Sequence, residues 1–112
     1  MIETEDILWT RPGRVTLLEG MKKTFDVEWE DAESGDVTTA VAYVYEMPEG
    51  DDVTSTAMPS GSHQVNGNVV TYKQLDPTSL TMGKTYLLIT GATVNGDPEL
   101  RKTEIILRSR NR

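Results

Sequence analysis

Groups able to do covalent or acid-base chemistry are few in this sequence. Its 112 residues include no cysteine and one histidine, His63. Cys–His nucleophile dyads and histidine-rich metal sites therefore cannot be assembled from one copy of the chain. His63 stands beside a predicted hairpin, where a surface or capping role is expected and no catalytic one is assigned. Carboxylates are plentiful. The clusters at residues 30–36 (Glu30, Asp31, Glu33, Asp36) and 49–52 (Glu49, Asp51, Asp52) could offer oxygen ligands to calcium, but neither follows the ligand spacing of an EF-hand loop. Both read as solvated acidic loops. Glycoside hydrolysis needs two carboxyls held across a cleft at a defined separation, which a domain this small rarely supplies. Gly61, Gly67, Gly83, Gly91 and Gly96 punctuate strands and hairpins instead of opening a helix, so no phosphate cradle is expected. Neither an enzyme nor a cofactor is expected, and the remaining class is a protein that works by binding or assembly.

Whatever binds must be held by a β framework. Sustained apolar spacing at three and four residues is lacking, and Gly, Pro, Asn and Asp interrupt the chain too often for long helices. Short Val-, Thr-, Ile- and Tyr-rich segments between turn signals predict six or seven strands in a sandwich or barrel. Residues 7–10 form a first segment that ends at Arg11, Pro12 and Gly13; residues 14–19 then resume as an edge strand. In residues 23–29, Phe25, Val27 and Trp29 share one face and Asp26 and Glu28 the other, the alternation of a half-buried strand. Residues 37–46 put Val41, Tyr43 and Tyr45 on one side and Ala42 and Val44 on the other, so both faces are expected to be covered there. Residues 47–62 read as a long connection with room for one short edge strand. Asn66-Gly67 and Asn95-Gly96 signal two tight hairpins, the second joining residues 85–94 to residues 100–108. In that last strand Ile105 and Leu107 face one side while Glu104, Ile106 and Arg108 face the other.

A chain of this length folds as one domain and buries enough apolar surface to need neither metal nor crosslink. Its formal net charge is −7, which disfavours adhesion to nucleic acid or anionic membrane. The longest apolar runs, such as Leu87-Leu88-Ile89, fall far short of the roughly 20 residues that cross a bilayer, and the first six residues are too acidic to read as a signal peptide. Charge is unevenly spread: residues 101–112 carry five basic residues against Glu104 alone, and residues 1–100 carry six basic against seventeen acidic. A basic end on an acidic body suits docking onto an acidic neighbour, another copy of the chain included.

Leu80, Gly83 and Tyr86, at three-residue spacing, resemble the tyrosine corner of fibronectin type III domains. There a glycine turns the chain between sheets, a leucine plugs the core and the tyrosine hydroxyl bonds back to the corner's backbone. Trp29 resembles the core tryptophan on the second strand of that fold, although no proline precedes Gly83. The resemblance implies an all-β, Ig-like or fibronectin type III-like β-sandwich of about seven strands with an N-terminal arm, divided as residues 1–13 (arm), 14–108 (sandwich) and 109–112 (basic tail).

The run from Phe25 to Trp29, the hairpin from Gly67 to Tyr72, the turn from Gly83 to Tyr86 and the closing hairpin at Gly96 are together similar in style to small Ig-like structural proteins of tailed bacteriophages. That likeness implies a virion structural protein, assembled in the host cytoplasm: a capsid decoration or cement protein bound noncovalently to the head, or a head-tail joining or tail component. Its partners would be the major capsid protein lattice, other virion proteins or a second copy of itself, with no nucleic acid and no membrane. Interface candidates are Trp9, as an aromatic anchor in the arm, with Arg11, Arg108, Arg110 and Arg112. An Ig-like recognition module that binds glycan or peptide, with Tyr43 or Tyr45 as its platform, stands as the other class of function, because the fold by itself assigns none.

Overall fold

A computed structural model describes residues 7–29 and 36–108. It is an all-β sandwich of two sheets. Strands β1 (Leu8–Leu18), β2 (Asp26–Glu28), β3 (Val37–Met47), β4 (Asp51–Asp52), β5 (Gln64–Asn66), β6 (Val69–Thr71), β7 (Thr85–Val94) and β8 (Asp97–Arg108) follow in chain order, with one short helix α1 (Thr54–Ala57) between β4 and β5. The larger sheet runs β1-β8-β7-β3-β4 and the smaller β2-β6-β5. Second, fifth and sixth strands in one sheet against third, fourth, seventh and eighth in the other is the division of an immunoglobulin-type sandwich, with β1 added parallel to β8 at the edge.

Alternation sets which side chains meet between the sheets. From β7 come Tyr86, Leu88, Ala92 and Val94, from β8 Ile105 and Leu107, from β3 Val37, Ala42 and Val44, and from β1 Leu17; all are buried in one cluster. The smaller sheet and its flanks answer with Val70, Tyr72, Leu75 and Trp29, while Phe25 and Val27 pack against the cluster from partly buried positions. Ala57 and Met58, on and just after α1, close one end. Trp29 is seated by its backbone N–H, which donates to the Asn68 carbonyl at 2.8 Å, and the Arg101 guanidinium lies 5.0 Å from its ring centroid. Tyr72 donates its hydroxyl to the Gly91 carbonyl at 2.8 Å; burial pushes its pKa up to about 12, partly offset by the neighbouring Trp29 indole.

The tyrosine corner has the geometry expected of it. Gly83 takes a φ of +86°, Leu80 is buried, and the fully buried Tyr86 accepts a hydrogen bond at its hydroxyl from the Thr81 backbone N–H at 2.8 Å while donating to Glu46 Oε2 at 3.0 Å. The four residues from Thr81 to Lys84 are thereby tied back onto the strand that follows them.

Two expectations need correction. Residues 8–13 do not form an arm ahead of the sandwich: β1 starts at Leu8, and Leu8 and Trp9 pair with Arg101 and Lys102 of β8 before the register shifts and resumes at Arg14 and Glu104. Arg11, Pro12 and Gly13 are the extra residues of a bulge in one continuous edge strand, because the Thr10 hydroxyl anchors the bulge to the Pro12 carbonyl at 2.9 Å and to the Thr103 hydroxyl at 2.6 Å. The first hairpin turns on Gly67-Asn68, not Asn66-Gly67, since Asn66 is already paired with Val69 and Gly67 supplies the positive φ at the first loop position. The short edge strand for which residues 47–62 left room is β4, which brings the strands to eight among the described residues, and α1 follows it. The tail at residues 109–112 and residues 1–6 lie outside the described residues.

Candidate functional site

The outward residues of the larger sheet are unusually apolar for a surface. On β7, Leu87 and Ile89 point away from the core, yet they are only 6% and 1% exposed. Their cover comes from neighbours on the same face. Register places Trp9, Lys102, Ile89 and Tyr43 in one row across β1, β8, β7 and β3, and Arg14, Glu104, Leu87, Tyr45 and Asp52 in the row two residues on, which reaches β4. Among the described residues no helix or strand packs over this face.

Each large side chain on it is held in place. Trp9, 52% exposed, has the Lys102 ammonium 4.5 Å from its ring centroid, and Lys102 itself is 8% exposed beneath it. Such a cation–π contact is favourable by roughly 0.5–2 kcal/mol, more as the ammonium is desolvated. Gly13 in the bulge approaches the same ring so closely that a Cβ there would lie 3.4–3.5 Å from Trp9 atoms. Between these neighbours Trp9 still leaves about half of its surface in solvent. Across the sheet, Tyr43 and Tyr45 stand two residues apart on β3 with ring centroids 6.4 Å apart and planes tilted by 33°. Partial burial raises the Tyr45 pKa, helped by the charge of Asp52 and by Tyr43, so the Tyr45 phenol is a neutral hydrogen-bonding group at physiological pH.

Asp52 is itself fixed in the ionised form. Hydrogen bonds from the Thr54 hydroxyl (2.6 Å) and the Thr54 backbone N–H (2.9 Å) lower its pKa against a small opposing effect of burial. At the opposite side of the face, Arg14 Nε donates to Glu104 Oε1 at 2.6 Å and remains largely exposed. The face therefore carries its aromatic rings on β1 and β3, apolar Ile89 and Leu87 between them on β7, a cation at its β1 margin and an anion on β4.

Of the interface candidates, Trp9 and Arg11 sit together on β1, Arg11 at the exposed bulge. Arg108 is exposed at the far end of β8, paired with Leu18 and six residues from the Lys102 that neighbours Trp9, or roughly 20 Å along the strand. These three make no single cluster, and Arg110 and Arg112 lie outside the described residues. Lys102, Ile89 and Leu87 complete the face and were not singled out from the sequence; the signal was the run of large residues at both parities in residues 86–89, which places apolar groups on both sides of one strand.

The other chemistry-bearing groups have local roles. His63 Nδ1 accepts the Lys73 backbone N–H at 3.1 Å and its ring meets Tyr72 edge-on; burial and the Lys73 charge lower its pKa. Among the described residues no three His, Asp or Glu side chains group as metal ligands. Most of the acidic cluster at residues 30–36 lies outside the described residues. Two open grooves border the sandwich. One lies at the start of β1 against residues 98–101, the other between α1 and Lys73. In searches of known protein families and of the curated proteins, no family and no individual protein matches this chain.

Proposed function

We propose that this chain is a structural assembly protein that acts by noncovalent docking, as a decoration or cement protein added to the assembled head of a tailed bacteriophage. One observation carries the assembly part of the reading: the outer face of the larger sheet, where Trp9 and Tyr43 remain 52% and 40% exposed above a buried layer of Leu87 and Ile89. Large aromatic side chains pre-oriented on a rigid sheet lose little entropy when covered, and they are the residue types that dominate interface energies. The virion setting rests on the likeness of residues 25–29, 67–72 and 83–86 to phage Ig-like proteins described above.

Immunogold electron microscopy of particles from a source encoding this chain, with antibody against the purified domain, tests the setting. Label over the whole head agrees with decoration. Label at one vertex or along the tail would transfer the protein to head-tail joining or to the tail, and unlabelled, well-preserved particles would overturn the virion reading.

A second reading is favoured by the side-by-side Tyr43 and Tyr45: a recognition module whose aromatic platform takes a glycan or peptide. Saturable binding of a soluble oligosaccharide or peptide by the isolated domain, lost in Tyr43→Ala, would select it over assembly.

A further inference from the structure

The exposed aromatic face has a charge pattern that fits itself. Rotation by a two-fold axis lying along the strands, midway between β8 and β7, turns the row Trp9, Lys102, Ile89, Tyr43 over onto its own reverse. Trp9 of one copy then lies on Tyr43 of the other, and Ile89 near Lys102. The same operation reverses the next row, so that Arg14 approaches Tyr45 and Asp52 of the other copy, cation toward anion, twice per dimer. A two-fold axis across the strands would instead place the cationic β1 margins of the two copies together.

Resting on the reading of this face as an interface, we propose that its occupant is a second copy of this chain, and that the assembling unit is a two-fold dimer stacked sheet to sheet. The four long strands of the face, about 4.8 Å apart and ten or so residues long at about 3.3 Å each, cover roughly 600 Å², and side-chain relief raises the buried area toward the ~800 Å² per partner of a standard specific interface. Because the axis runs along the strands, the two sheets stay nearly aligned, as packed sheets prefer. Such an interface is isologous and closes at two copies, so it does not propagate into fibres. The edge of β1 is not a competing route: the bulge at residues 10–13 and the exposed Arg11 break the run of backbone groups that edge-to-edge pairing needs.

Sedimentation equilibrium of the full chain decides it, with the 12.5 kDa chain mass as reference. The wild-type chain is expected at twice that mass at tens of micromolar, and Trp9→Ala/Tyr43→Ala at the single-chain mass, a rise of at least ~30-fold in dimer Kd. An unchanged urea midpoint in that variant separates lost association from lost folding. The axis has its own test in a chain without native cysteine. Thr16 and Met47 occupy the β1 and β3 ends of one outward row, and facing sheets lie about 10 Å apart, so Thr16→Cys/Met47→Cys is expected to give an intermolecular dimer with a short bis-maleimide. Thr16→Cys alone is expected to give none. A wild-type monomer at all accessible concentrations, a dimer that survives the double alanine, or crosslinking of Thr16→Cys to itself would each overturn the proposal. Particle labelling reports on the virion reading separately: labelled heads with a monomeric chain would sink the dimer alone.

Discussion

The two faces of β7 are almost equally buried and owe it to different causes. Inward, Tyr86, Leu88, Ala92 and Val94 are covered by a second sheet that arrives from elsewhere in the chain. Outward, Leu87 and Ile89 are flanked in register by Tyr45 and Tyr43 on β3 and by Glu104 and Lys102 on β8, with no second sheet over them among the described residues. Burial from another layer makes a fold, whereas burial by neighbours in the same layer leaves large aromatic rings standing at the surface. Low exposure of a side chain therefore does not say whether a second layer or its own sheet covers it.

Mutations should separate the faces, and the largest effect belongs to the inner one. Leu88→Ala removes a fully buried side chain between the sheets and is expected to cost about 2–5 kcal/mol in urea unfolding. Gly91→Ala probes the outer face from within: a Cβ there would lie 2.6 Å from Leu100 Cδ2, 3.0 Å from Val41 Cγ2 and 3.1 Å from the Glu99 carbonyl. It should cost about 1–3 kcal/mol by overpacking, with partial recovery in Gly91→Ala/Leu100→Ala, because the Leu100 contact is relieved and the backbone contact is not. Tyr86→Phe keeps the ring but strands the Thr81 N–H and the Glu46 carboxylate, an expected loss of about 1–2 kcal/mol seen as a lower denaturation midpoint. Tyr43→Ala should change monomer stability by less than about 1 kcal/mol while weakening association, the pattern that marks the outer face.

The smallest effect is a pH dependence. Burial and Lys73 lower the His63 pKa from its ordinary 6.5, so the folded protein binds fewer protons there than the unfolded chain. The stability from neutral His63, which accepts the Lys73 N–H, is full above the unfolded pKa and is lost as pH falls through the folded value. Denaturation midpoints should therefore decline from pH 7 toward 5, and His63→Ala should flatten that decline. An unflattened decline would assign it to other groups.

Much of the framework was legible in the chain. The alternation of Phe25, Val27 and Trp29, the β7 segment at residues 85–94, the Asn95-Gly96 hairpin and the Leu80, Gly83, Tyr86 corner all appear where the pattern put them, because each is set by contacts within a few residues or by the two-residue period of a strand. The first strand was less legible. Pro12 and Gly13 interrupt its pattern, and only its pairing with β8, more than 85 residues away, shows that the interruption is a bulge. Tyr43 and Tyr45 were recognisable as a pair, but their relation to Trp9 was not, since β3 and β1 meet on one face only through β7 and β8 between them.

By itself, the sequence determined the strand periods, the sharp turns at glycine, the two-sided apolar character of β7 and the lack of cysteine, all properties of composition and short-range order. Tertiary structure alone decided that β1 lies parallel to β8, that Lys102 sits beneath Trp9, and that cation and anion stand on opposite margins of one aromatic face. The physical reason is that register and strand order come from closing long loops against a shared core, a sum over contacts that no local stretch of chain contains.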